Sequence, residues 1–190
     1  MRLATLTALF AGLLLTRAAF AADPPTPEQL KRANQVIDAA LADERPALKS
    51  LALGALGASH RPDAKEKLLA ALGDDEGKTR YGGAQGLRFL ADASTSPQIV
   101  VAWRKEKGWA VKKELCAAAG ATGARDLVPD LKAAWLYETQ PDVKEAIAFA
   151  LEDLGEADAK GMLTQLGDPE RKKIVKDGRL LALRDSSLRR

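Results

Sequence analysis

The feature that most constrains this chain is a period. Four segments align, "LALGALG" ending at Gly57, "QGLRFLA" ending at Ala91, "AAAGATG" ending at Gly123 and "FALEDLG" ending at Gly155, at spacings of 34, 32 and 32 residues. The interval returns elsewhere: Val111-Lys112, Val143-Lys144 and Val175-Lys176 recur at 32, with Thr79-Arg80 in the equivalent place one unit earlier. Two columns follow from the alignment, Leu53, Leu87, Ala119, Leu151 and Leu183, and beside them Ala52, Gly86, Ala118, Ala150 and Ala182. Small residues next to leucines on one helical face let neighbouring helices approach closely. A period of roughly 30 residues means units that bury their apolar faces against one another.

Each unit reads as helix A, a turn, then helix B. In the fourth, "ARDLVPDLKAAWLYE" places Leu127, Val128, Leu131, Ala134 and Trp135 at helical spacing, and "DVKEAIAFALEDLG" does the same for Val143, Ala146, Ile147, Ala150, Leu151 and Leu154, with Gly155 placed to end it. The expected pairs are 26–43 with 44–57, 61–72 with 76–91, 96–107 with 108–123, 124–137 with 140–155, and 156–167 with 169–187. Thr26-Pro27-Glu28-Gln29 opens the first as a capping box. Aromatic residues are only 5% of the chain, so the core is expected to be Ala, Leu and Val, which suits close helices better than a sandwich. Trp103 and Trp135 lie in A-helix stripes and are assigned to that core, as is the lone Cys116.

"GDDEGKTR", residues 73–80, ends like a phosphate-binding loop. Only three residues separate Gly73 from Gly77, however, and Asp74, Asp75 and Glu76 would repel a phosphate where backbone N–H groups should cradle it. It reads instead as the turn between two helices. Asp74, Glu106, Glu138 and Glu170 each precede a basic residue by six positions, so pairs such as Glu138 with Lys144 are expected to tie turns to B helices.

"LALGALG" and "ARDLVPDLKAA" together resemble the HEAT-repeat family, in its short bacterial HEAT-like form that includes the bilin-lyase-type repeats. The likeness spans about residues 44–187. It implies an all-α right-handed solenoid of about five antiparallel helix pairs, with B helices lining a concave surface of the kind that binds proteins. The third unit, "SPQIVVAWRKEKG", lacks the Val-Pro-x-Leu helix of that family. The second carries Gly82, Gly83 and Gly86 inside helix B, where each glycine costs about 1 kcal/mol relative to alanine, so a bent or loosely packed unit is expected there.

The N-terminus has the signature of an export signal. Arg2 supplies a positive start, Leu3 to Leu15 is apolar, and Ala19-Phe20-Ala21 fits the small-x-small rule, placing cleavage after Ala21. A membrane anchor would need about 20 apolar residues, and Arg17 interrupts this run. The expected organisation is a signal peptide over 1–21, a leader over 22–25, a repeat domain over 26–187 and a basic tail over 188–190, in a periplasmic or secreted protein with no membrane span after cleavage. Residues 171–190 hold eight basic and two acidic residues, whereas 22–170 hold 19 and 24. An acidic body with a basic end argues against a nucleic-acid groove.

Little chemistry is on offer. His60 has no Cys or His partner at metal-ligand spacing, no nucleophile elbow occurs, and a Cys116–His60 arrangement would have to span two units. No catalytic residue, metal or cofactor is expected. The expected role is a scaffold whose protein partner meets Tyr81, Arg88, Trp109, Lys113, Glu145 and Glu152 on the B helices, since Tyr, Trp and Arg carry interface energy. Two other readings stand beside it: an enzyme or enzyme subunit acting on a modified protein, and an anionic-surface binder using Arg171, Lys172, Lys173, Lys176, Arg179, Arg184, Arg189 and Arg190.

Overall fold

Proline sets many of the helix starts. Pro27, Pro46, Pro97, Pro129 and Pro141 all sit in first turns, where a missing N–H leaves no hydrogen bond unmade. A computed structural model of the chain describes residues 24–166. The expected signal segment 1–21, the expected fifth B helix at 169–187, Glu170, the Val175-Lys176 repeat and the basic C-terminal residues lie outside the described residues.

Among the described residues the regular structure is wholly helical: α1 Pro27–Leu41, α2 Pro46–Ser59, α3 Ala64–Ala71, α4 Gly77–Leu90, α5 Ser96–Lys105, α6 Trp109–Thr122, α7 Val128–Tyr137, α8 Pro141–Asp153 and α9 Ala159–Gln165. One-turn 3-10 segments at Ala93–Thr95 and Arg125–Leu127 lead into α5 and α7. "GDDEGKTR" is the turn from α3 into α4, with Glu76 as the cap of α4.

The chain divides into two compact units, residues 1–36 and 37–190. In the first, α1 opens with the expected capping box: the Thr26 N–H donates to Gln29 Oε1 at 2.7 Å, and the Gln29 N–H to Thr26 Oγ1 at 3.2 Å. In the second, the B helices α2, α4, α6 and α8 pack side by side in chain order, while α3, α5 and α7 each pack on the B helix that follows them and α9 packs on α8. Leu56, Leu68, Leu87, Ile99, Leu127 and Leu151 are sealed from solvent in the shared core. Trp103, Trp135 and Cys116 are buried with them, as their apolar stripes predict.

The left-handed residues that close the B helices correct the sequence alignment. His60, Ala91, Gly123 and Gly155 have φ of 49°, 51°, 72° and 84°, and stand 31, 32 and 32 residues apart. The first interval is therefore 31 rather than 34: α2 runs past Gly57 to Ser59, and Leu56, not Leu53, shares the column of Leu87, Ala119 and Leu151. A slip of three residues is nearly one helical turn, so "LALGALG" presents almost the same face in either register.

The glycines of α4 give a second correction. Gly82, Gly83 and Gly86 are buried, and they make the unit tight rather than loose. A Cβ on Gly82 would lie 2.6 Å from the Ser50 Cα, one on Gly86 2.5 Å from the Leu53 carbonyl oxygen, and one on Gly57 would overlap the Gly86 carbonyl. The propensity cost of these glycines is offset by backbone contact between α2 and α4 that no side chain would permit.

Candidate functional site

The acids of the A–B turns act first as caps. Asp74 Oδ1 accepts from the Glu76 N–H at 2.9 Å, Glu106 Oε1 from Lys107 and Gly108 at 2.8 and 2.7 Å, and Glu138 Oε1 from Thr139 and Gln140 at 2.8 and 2.9 Å. The cations reach forward to the next turn: Lys49 lies 3.4 Å from Asp74, and Arg80 2.8 Å from Glu106. Burial alone would push the Glu106 carboxyl up, but Arg80 and the two amides together hold it below the usual carboxylate range. Lys144, expected to pair with Glu138, lies instead over the Trp135 ring at 4.8 Å, and Lys112 lies over Trp103 at 5.2 Å. An ammonium over an indole face keeps its charge at the surface while its stem covers the core.

Two of the expected interface residues meet a third that the sequence did not single out. Tyr81 and Arg88 lie two turns apart on α4, and both face Glu114 of α6. The Tyr81 hydroxyl donates to Glu114 Oε1 at 3.2 Å, and Arg88 Nη1 stands 3.6 Å from Glu114 Oε2. Glu114 is only 5% exposed, and its Oε2 and the Arg88 Nε are buried without hydrogen-bond partners. Arg88 also stacks over Phe89 at 4.8 Å. Burial first, and then the Glu114 charge, raise the Tyr81 phenol above its ordinary value, so it stays a neutral donor. Glu114 occupies a column whose other members are Leu51, Gly82 and Ala146, and that was the signal available: a lone charge among small and apolar residues.

Tyr81 and Arg88 thus line a seam between B helices rather than standing free on an open face. Trp109 opens α6 and is 51% exposed, while Lys113, Glu145 and Glu152 are half-buried on α6 and α8, outside the trio. Leu136 and Tyr137, at the end of α7, are exposed as well. A cleft of about 630 Å³ opens between Leu41, Lys49, Leu53, Arg61, Asp74 and Thr79. Its charges are already engaged, Arg61 with Asp38 at 2.8 Å and Asp63 at 2.7 Å, and Lys49 with Asp74. Burial pushes the Cys116 thiol up to about 12, which leaves it protonated and a poor nucleophile. His60 is exposed at the left-handed corner after α2. Among the described residues no three of His, Cys, Asp and Glu are placed to hold a metal ion. No described helix is long and apolar enough to cross a membrane.

No protein-family model matches the chain, and no curated protein matches it in sequence.

Proposed function

We propose that the chain is an exported, non-catalytic HEAT-like scaffold, an α-solenoid that binds another protein along the face made by its B helices. The observation that carries this reading is the unbroken succession of α2, α4, α6 and α8, which offers positions from four consecutive helices to one partner. Trp109 supplies an exposed aromatic anchor on α6, with Lys113 one turn further on and Glu145 and Glu152 on α8. A face that carries an aromatic and both signs of charge suits a protein partner better than a polyanion. Tyr81 and Arg88 support the face from beneath by fixing α4 against α6. Export follows from the signal segment, and the mature protein should begin at Ala22.

Affinity capture from the envelope fraction tests the reading, with the wild-type protein compared against Trp109→Ala and Lys113→Glu. A protein captured by the wild type and lost from both variants is the expected result. An unchanged set of captured proteins removes this face as the binding site. Tyr81 is left intact because truncating it would also expose the Glu114 carboxylate.

A further inference from the structure

The stretch from Arg104 to Glu114, "RKEKGWAVKKE", carries five cations and two carboxylates. The fold turns both carboxylates inward. Glu106 is buried against Arg80 at 2.8 Å and Glu114 against Tyr81 at 3.2 Å, each facing the preceding unit. Two of the cations are engaged as well: Arg104 meets Asp130 at 2.7 Å, and Lys112 lies over the Trp103 ring. Lys105, Lys107 and Lys113 remain, and among the described residues none of the three forms an ion pair. Lys105 and Lys107 are exposed on the turn between α5 and α6, where they line a cleft of about 270 Å³ together with Asp75 and Arg80. The exposed Trp109 follows on the first turn of α6, with Lys113 four residues on and so on the same helical face. An open indole thus stands among ammonium groups whose neighbouring carboxylates have been withdrawn.

We propose that this surface binds a short acidic segment of the partner protein, with carboxylates against Lys105, Lys107 and Lys113 and an apolar side chain on the Trp109 ring. The inference rests on the reading that a protein meets the B-helix face, and it adds the chemistry of that protein. The partner's carboxylates supply the counter-charge that the chain itself turns inward, and the indole supplies rigid apolar area. The extent of the patch selects a short segment over a planar or extended polyanion. Asp75 and Glu76 are exposed on the preceding turn, which Arg80 ties to Glu106 by donating to the Asp74 and Asp75 carbonyls at 2.9 and 2.8 Å. An anionic membrane or a nucleic-acid backbone laid across the lysines would meet those carboxylates as like charges, whereas a few acidic residues reach the lysines alone.

Fluorescence anisotropy tests it, using protein purified from cells expressing the full chain and a labelled synthetic peptide in which glutamates flank a phenylalanine. This peptide should bind at least about tenfold more tightly than its counterpart with glutamine for glutamate, and binding should weaken as sodium chloride is raised. Lys105→Glu combined with Lys107→Glu should weaken it by about tenfold or more. Lys31→Glu combined with Lys160→Glu makes the same change in net charge at exposed sites elsewhere and should leave it unchanged. Equal binding of the two peptides overturns the proposal, and so does undiminished binding by the Lys105 and Lys107 double variant. Co-sedimentation with phosphatidylglycerol vesicles that is lost in that variant overturns it in favour of a membrane surface. The envelope capture separates this inference from the reading beneath it: a protein lost from Trp109→Ala but retained by the double variant removes acidic recognition alone, and one retained by Trp109→Ala removes both.

Discussion

Glu114 is held by two groups from one neighbouring helix, and its worth lies in what its partners prevent. Removing Arg88 leaves a buried carboxylate with the Tyr81 hydroxyl as its sole remaining partner in the trio, which should cost about 1–3 kcal/mol. Arg88→Ala combined with Glu114→Ala should cost less than the two single changes summed, and urea unfolding of the double-mutant cycle measures this coupling. Cys116 makes a different prediction. Its thiol ionises near 9 when unfolded and at about 12 when folded, so its contribution is complete below pH 9 and is lost as pH rises towards 12. Alkaline melts should therefore be flatter for Cys116→Ala, and native protein should resist alkylation. Burial of Cys116, Trp103 and Trp135 was legible because they occupy apolar positions in helical stripes. Glu114 was not, because a charge on a helix reads as solvent-facing until the neighbouring helix is placed.

Among the helices, glycine sorts into two kinds. Gly57→Ala or Gly86→Ala should destabilise by more than about 2 kcal/mol, because the added methyl meets backbone that cannot move aside. Gly161→Ala, within α9 and with nothing inside 4 Å of its Cβ position, should stabilise by about 0.5–1 kcal/mol. Denaturant melts of the three variants decide between them. The helices themselves were readable from their stripes, prolines and caps, and the reciprocal bonds of Thr26 and Gln29 follow directly from their spacing. Two things were not. One was the register of α2, because a slip of one turn preserves its face. The other was the purpose of the α4 glycines, which propensity prices as weakness while the cost is offset by an approach visible only in three dimensions. The turn acids were legible as a column, but their pairing was not, since nothing in a six-residue interval distinguishes a cap from a salt bridge.

At the scale of the whole molecule, carboxylates make the described residues sensitive to acid. Asp63 is lowered to about 2 by hydrogen bonds from Arg61 and Lys67, and Asp74, Asp92 and Glu106 are also held below their ordinary values. A depressed carboxyl stabilises above its unfolded pKa and loses that contribution as pH falls through the folded one. Stability should hold to about pH 4 and then fall towards pH 2, which thermal melts by circular dichroism will show. The left-handed corners carry one more consequence. Ala91 and Gly123 mark the same point in consecutive units, so deleting residues 92–123 would join two ends that already leave their helices in the same direction. A chain with such junctions can be shortened or extended by whole modules, and its length becomes an adjustable parameter, independent of the local rules that make each module fold.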